Sequence, residues 1–534
     1  MVRSIRLRPW QKRALDALTG HPHPDFLAVA TPGAGKTTLA LTAALHHLAA
    51  RPTAPLVVVT PTQHLKAQWT TAAAAFGLHL HPAWSARAGR LPADMHGVVV
   101  TYQQVAVAAH DLRRLAAEAF VVFDEIHHAG DDRAWGEAVR VAFEPAARRV
   151  ALSGTPFRSD TSAIPFIRYT NGEAEPDFTY GYADALSEGR VVRPVHFPRI
   201  NGHMEWSAPD GSLHAHTFDE PLDRVRAGQR LRTALSLDGE WLPTVLTQAH
   251  AHLQALRVRQ PDGGGLVIAT DQDHARGIAG MMRARLDVEP VVATSDDPMA
   301  SARIAAFAAG SQPWIVAVRM VSEGVDVPRL RVGVYATNTT TELFFRQAVG
   351  RLVRWRRGGG SDPATMFIPD DERLRRFAAT LAEARNHSLR RRSAEDERPF
   401  AAPPPAAGGD EQLSLFAAIS AVATDTELAA HETPPPVDDD DRDDGVEVAL
   451  PPPPARSDGA TAVDGPVRPR HEQVRVLRSH NAERAKLIVQ LSGLGHAKVN
   501  SELNRLAGVR RISEATVGQL QRRLHHADRW LQRL

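Results

Sequence analysis

An apolar run at residues 26–30 (FLAVA) breaks into Thr31, Pro32, Gly33, Ala34, Gly35, Lys36 and Thr37, and a helical pattern rich in Ala and Leu starts at Thr38. Strand, glycine turn and helix in that order are the context a phosphate loop requires. Gly33 and Gly35 let backbone N–H groups turn inward onto phosphate oxygens, and the helix N-terminus adds a favourable dipole. Lys36 is placed to reach the β- and γ-phosphates, and the Thr37 hydroxyl to hold Mg²⁺. Ala30 stands where the general pattern has its first glycine, so this loop is a variant.

The second carboxylate-bearing feature is an apolar run at 120–123 (FVVF) ending in Asp124 and Glu125. Alone, such a pair is a strand-to-loop turn with solvated acids. Downstream of a phosphate loop, Asp124 faces the Mg²⁺ shell and Glu125 orients and activates the attacking water. His127 and His128 follow directly. A metal site there is rejected, because the chain has no cysteine and no third ligand is evident.

Around these motifs, short apolar runs alternate with helical patterns. Residues 56–60 (LVVVT), 97–101 (GVVVT) and 150–153 (VALS) read as buried strands, with helical segments at 38–50 and 63–76. The rhythm returns at 265–270 (GLVIAT), 291–294, 314–318 and 332–336, with helices at 274–286 and 299–309. This predicts an α/β fold: two tandem domains, each a parallel sheet flanked by helices, at 1–195 and 235–395. Residues 196–234 are expected to be a connector or insertion, with 190–219 a candidate hairpin.

Residues 396–465 are expected to be a disordered linker. Within 400–465 there are 14 Asp and Glu against 2 Arg, and three proline runs. Such a stretch buries too little apolar surface to offset its ordering entropy. Residues 412–421 (QLSLFAAISA) are more apolar and read as a few sticky linker residues, with a short docking helix as the alternative. Residues 466–534 reverse the sign, with 14 Lys and Arg against 5 Asp and Glu. They are expected to form a small basic helical module. Val517, Leu520, Leu524, Ala527, Leu531 and Leu534 make a helical seam, Thr516 and Gln519 a capping box, and Arg522, Arg523, Arg529 and Arg533 lie off the seam. Two readings stay open for it: an accessory nucleic-acid binder or a protein-docking bundle.

The absence of cysteine excludes disulfides, thiolate zinc sites, cysteine-ligated clusters and a cysteine nucleophile. No apolar run of about 18 residues is present, which argues against a membrane span. The first 20 residues carry Arg3, Arg6, Arg8, Lys12 and Arg13 and no apolar signal core. The expectation is a soluble, cytoplasmic protein.

With the two motifs placed, further segments fall into a known order, and the chain resembles superfamily 2 DExH-type helicases and translocases. It is most similar to the helicase subunits of restriction enzymes and to related repair and phage helicases. The resemblance spans roughly residues 5–370 and implies two RecA-like domains. It implies that Gln11, in Leu-Arg-Pro-Trp-Gln, reads adenine, and that residues 59–63 (VTPTQ) and 100–103 (VTYQ) lie along a nucleic-acid strand. It implies that His127 couples the ATP site to Ser153 and Thr155 of the Ser-Gly-Thr-Pro segment. Residues 320–328 carry Gly324 and Asp326 of a further nucleotide-contacting motif.

Gln347, Arg351 and Arg354 match the last motif, in the second domain. Arg351 and Arg354 are three apart, which on a helix puts them on one face, where a rigid guanidinium pair can neutralise γ-phosphate charge in the transition state. Strand contacts are expected from Thr62, Thr101, Tyr102 and Ser322. Trp69, Trp84, Trp135 and Trp355 are read as stacking candidates or as core. The implied function is an ATP-dependent helicase or translocase with ATP and Mg²⁺ as cofactors. DNA is favoured as partner by analogy with the restriction and repair members. The alternatives are an ATP-gated clamp or double-strand translocase without unwinding, or an RNA helicase.

Overall fold

A computed structural model describes residues 3–85, 91–130, 133–154, 163–189, 191–208, 211–294, 296–297, 299–318, 327–355, 362–393, 417–427, 445–456 and 470–534. By contact the chain falls into two units. One comprises Met1–Val29, Gly35–Thr179 and Arg442–Leu534, and the other Ala30–Ala34 and Tyr180–Asp441. None of the described helices is long and apolar enough to cross a membrane.

The first unit is built on a seven-stranded sheet in the order Phe178–Tyr180, Asp25–Ala30, Arg148–Ser153, Phe120–Phe123, Leu56–Thr60, Gly97–Thr101, Leu80–His81. The ladders from Asp25–Ala30 to Leu80–His81 are parallel. Leu56–Thr60 and Gly97–Thr101 are buried at every position, as strands covered on both faces by helices must be, and their Val-rich runs supply the apolar surface. Gly97 is required where it stands, since a Cβ there would fall 1.7 Å from the Leu56 carbonyl oxygen. The phosphate loop and the Asp124–Glu125 pair both follow carboxyl ends of these strands, the edge where open α/β sheets bind ligands.

The second unit carries a nine-stranded sheet whose central path runs Ala364–Pro369, Leu330–Ala336, Gly264–Ala269, Trp314–Ala317, Val291–Ala293, all parallel. Residues 196–234, expected to be a connector or insertion with a candidate hairpin, hold two strands and the helix Arg224–Ala234. Arg199–Ser207 joins this sheet beside Ala364–Pro369 and forms an antiparallel hairpin with Leu213–Thr217. Its burial alternates along the strand, so Ile200, Met204 and Trp206 pack on the core while the intervening residues stay half-exposed. That alternation is the pattern of a strand with one covered face.

The expectation of a disordered linker is corrected at two places. Ala417–Glu427 is a strand, not a docking helix, and pairs antiparallel along Arg199–Ser207. Its alternating small and β-branched residues suit a ladder better than a helix. Val446–Leu450 pairs antiparallel with Arg3–Leu7, from Arg3↔Leu450 to Leu7↔Val446. Ser4 Oγ donates to Glu447 Oε1 at 2.6 Å across that ladder.

The basic C-terminal region folds as three helices, Arg470–Ser492, His496–Ala507 and Val517–Leu531. It groups with the first unit instead of standing apart. Val474, Val509, Val517 and Leu520 share a core with Met95 of the sheet unit. The fully buried Asp94 accepts a hydrogen bond from Val517 N at 2.9 Å, at the start of the last helix. Thr516 and Gln519 form the expected capping box. Arg523, expected off the seam, is instead buried. Its guanidinium donates to the side-chain oxygens of Asn504 at 2.8 Å, Asn481 at 3.0 Å and Asn500 at 2.6 Å, which join the three helices.

Candidate nucleotide site

Gly33 and Gly35 have φ of 81° and 95°, left-handed values that glycine adopts without steric cost. The helix Lys36–Ala50 starts immediately after, so its first N–H groups face the loop. Gln11 clamps the loop from the first helix. Its Oε1 accepts from Arg8 N at 2.8 Å and its Nε2 donates to the Gly35 carbonyl at 2.9 Å. A Cβ on Gly35 would lie 2.6 Å from that Nε2. Gln11 therefore sits at the loop, with both ends of its amide engaged by backbone.

Lys36 Nζ lies 3.4 Å from Glu125 Oε1. The other carboxyl oxygen of Glu125 accepts from Gly154 N at 3.0 Å and lies 3.7 Å from His127 Nδ1. His127 Nδ1 in turn is 3.4 Å from Ser153 Oγ. So Lys36, Glu125, His127 and Ser153 converge on one locus. Burial pushes the Glu125 carboxyl up, but Lys36, His127 and the Gly154 N–H together hold it below the usual carboxylate range. Glu125 also has a positive φ of 46°, which is costly for a residue with a Cβ and recurs at functional sites.

Asp124 behaves oppositely. Burial and the neighbouring Glu125 charge raise its carboxyl above the usual range, against the pull of Trp69 and Lys36. Trp69 Nε1 donates to Asp124 Oδ2 at 2.7 Å. Tyr102 donates from its hydroxyl to the Asp124 carbonyl at 3.0 Å. Both aromatics are buried. The Tyr102 side chain, expected near a strand contact, is buried and supports the carboxylate strand through that hydrogen bond. Neither support was found from sequence as part of this site. The only signal for Trp69 was a large aromatic on an otherwise Ala-rich helix.

Thr62 and Thr101 use their hydroxyls as helix N-caps, accepting from Leu65 N at 3.5 Å and Gln104 N at 3.2 Å. Those oxygens are therefore committed to helix starts. Thr155, Ser322, Gly324 and Asp326 lie outside the described residues.

In the second unit, the helix Glu342–Val349 carries Gln347 and ends before the arginines. Arg351 follows in a turn, and Arg354 forms a bridge with Val192, so the two do not share a helical face as expected. The cause is the chain's exit into that bridge. Arg193 N donates to Val353 O at 2.7 Å, and its buried guanidinium donates to Arg354 O at 3.0 Å. The loop residues Ala30–Ala34 group by contact with this unit. A Cβ on Gly33 would fall 3.3 Å from Arg354 Cγ, and one on Gly350 2.7 Å from the Pro32 ring.

A glycine loop at a strand end, a lysine against paired carboxylates and tandem parallel sheets define the class: an α/β protein with two RecA-like domains and a candidate nucleotide site. Within that class the chain is similar to the superfamily 2 helicases in the order of its motifs. Residues 4–158 match the family model described as type III restriction enzyme, res subunit. An uncharacterized protein of Mycobacterium tuberculosis is 49% identical over 392 residues, covering 72% of this chain and 65% of that protein. One from Mycobacterium leprae is 46% identical over 390 residues, with coverages of 72% and 65%. The match thus spans 65% of the length of these relatives. A fragment described as an HsdR subunit of a type I restriction enzyme from Vibrio vulnificus shares the fold, with a TM-score of 0.51 and 17% identity over 70% of this chain and 65% of that one.

Proposed function

We propose that the chain is an ATP-dependent helicase or translocase that moves on DNA. The observation that carries this reading is the convergence of Lys36 and Glu125 at 3.4 Å, with Glu125 held by Gly154 N at 3.0 Å. The cradle fits a triphosphate, because Gly33 and Gly35 present no Cβ to an anion lying on the loop. Thr31, Pro32, Ala34 and Thr38 are assigned to the same cradle. Thr37 and Asp124 are oxygen donors suited to Mg²⁺, which when bound offsets charge on the phosphates.

Glu125, kept anionic by Lys36, takes the proton of the attacking water. Gln347, Arg351 and Arg354 are assigned to the γ-phosphate. Support comes from the grouping of Ala30–Ala34 with the unit that carries these side chains. An arginine in that role is typically worth about 10³–10⁵ in rate. His127, Ser153 and Thr155 relay the state of the phosphate away from the site. ATP binding and product release then alternate two conformations, and alternating grips on a strand become movement. Backbone groups near Thr62, Thr101 and Tyr102, with Ser322 in the second domain, are the assigned strand contacts, and Gly324 and Asp326 are assigned to the nucleotide. DNA is preferred because the matching family model is described as a restriction-enzyme subunit. A cytoplasmic setting goes with that reading.

The test is ATP hydrolysis measured alone and with single-stranded DNA, duplex DNA and RNA. DNA is expected to stimulate turnover, and Lys36→Ala to abolish it. Arg351→Ala is expected to spare ATP binding while slowing hydrolysis. Absence of stimulation by every polynucleotide would overturn the reading.

A further inference from the structure

We propose that the outer face of the last helix, Val517–Leu531 and its continuation, is a second nucleic-acid surface that holds the phosphate backbone through Arg522, Arg529 and Arg533. The inference rests on the functional reading above and adds a site to it. At about 3.6 residues per turn, steps of four and three place Arg522, His526 and Arg529 on one narrow stripe of the helix, and Arg533 follows in the turn that continues it. Leu520, Arg523 and Ala527, on the opposite side, are buried against the rest of the bundle. Arg522, Arg529 and Arg533 are exposed. Arg522 and Arg529 are seven positions apart, about 10 Å at ~1.5 Å per residue, and Arg533 extends the stripe past the helix end, so it can meet more than one phosphate.

The charge on this stripe is not neutralised. Among the described residues, none of these three guanidinium groups makes an ion pair or hydrogen bond. Two other arginines of the bundle surface are matched, Arg484 to Asp528 at 2.7 Å and Arg505 to Glu502 at 2.6 Å. Asp528 is the only carboxylate of the last helix, and Arg484 uses it. The bundle's interior offers no compensation either, since buried Arg523 is held by neutral amide oxygens.

Phosphate is the partner such a surface fits. A protein interface is centred on apolar or aromatic side chains, and this stripe contains neither an aliphatic nor a large aromatic residue. Arginine on a rigid helix, carried by a bundle docked through Asp94 onto the unit that bears the phosphate-loop lysine, suits a sequence-blind grip.

The experiment compares the full chain with a combined Arg522→Ala, Arg529→Ala, Arg533→Ala variant. Binding to a 30-base-pair duplex, a 30-nucleotide DNA strand and an RNA of the same length is titrated from low to physiological salt. The expected result is at least about tenfold weaker binding, and a log–log salt slope shallower by about 3 for duplex, near one unit per lost phosphate contact. ATP hydrolysis without nucleic acid and thermal unfolding stay unchanged, because these side chains hold no partner in the fold. Replacing the same three positions by Lys restores the slope. Unchanged affinity and slope in the alanine variant, while the parent chain binds, overturns this surface alone. A parent chain that hydrolyses ATP yet holds none of the three probes overturns the functional reading together with it.

Discussion

Asp124 is held by more than its motif. Burial and Glu125 both favour its neutral form, and the Trp69 indole N–H, 2.7 Å away, favours the charged one. Trp69→Phe keeps an aromatic in the packing and removes that donor. A hydrogen bond to a charged group is worth about 1.5–3 kcal/mol, so the Mg²⁺ concentration for half-maximal hydrolysis should rise on the order of tenfold. Without the donor the carboxyl's proton affinity rises further, and metal must displace that proton. The rise should therefore be larger at pH 6 than at pH 8, and saturating Mg²⁺ should restore turnover. An unchanged Mg²⁺ requirement would show that the indole only packs. Glu125→Gln should retain ATP while turnover falls by about 10²–10⁴, the usual worth of a positioned base. Lys36, Asp124 and Glu125 were legible in the sequence because each sits beside its own strand end. Trp69 and Tyr102 were not, since they meet Asp124 across sequence separations of 55 and 22. Nothing local marks a contact of that range.

Elements were legible where burial on both faces leaves a continuous apolar run. Residues 56–60, 97–101 and 120–123 appear as Leu56–Thr60, Gly97–Thr101 and Phe120–Phe123. Strands that join a sheet at its margins carry a weaker pattern. Val446–Leu450 and Ala417–Glu427 owe their state to partners hundreds of residues earlier, so their acidic and small residues read as linker. The motif with Arg351 shows a second limit: helical spacing predicts a shared face, but tertiary pairing with Val192 ends the helix first. The loop itself offers the sharpest test at this scale. Gly35→Ala combines a φ of 95° with a Cβ placed 2.6 Å from Gln11 Nε2. It should cost about 1–3 kcal/mol locally and weaken ATP binding. Gly20→Ala, where a Cβ meets nothing within 4 Å, should be neutral in both measurements. Equal ATP affinity in the two variants would mean that the loop relaxes around the methyl group.

For the molecule as a whole, the contacts of the C-terminal bundle with the first sheet are tied to histidine charge. His96 Nδ1 accepts from His79 N at 2.9 Å, and its Nε2 meets the Pro454 carbonyl at 3.1 Å. That pairing admits only the neutral ring with its proton on Nε2, because a second proton would face the His79 N–H. Burial lowers His96 to about 4, with Arg456 and Arg470 adding to the effect against the Pro454 hydrogen bond. Burial, then Arg470 and His96, take His79 to about 3. Burial, then Arg478, His471 and Lys66, take His81 to about 4. Each folded value lies below the usual 6.5, so the folded state binds fewer protons than the unfolded chain between those limits. The stability these rings contribute is complete above pH 6.5 and is lost as pH falls through about 4. Arg470, Arg478 and Arg456, which lower these rings, come from the chain that forms and leads into the bundle. Protonation therefore sets like charges against each other at the docking contact. Limited proteolysis between pH 7.5 and 4.5 should show the bundle released before the sheet core unfolds, and His96→Gln should flatten that dependence. Release independent of pH would mean that Asp94 and the apolar contacts around Met95 hold the bundle without help from the imidazoles.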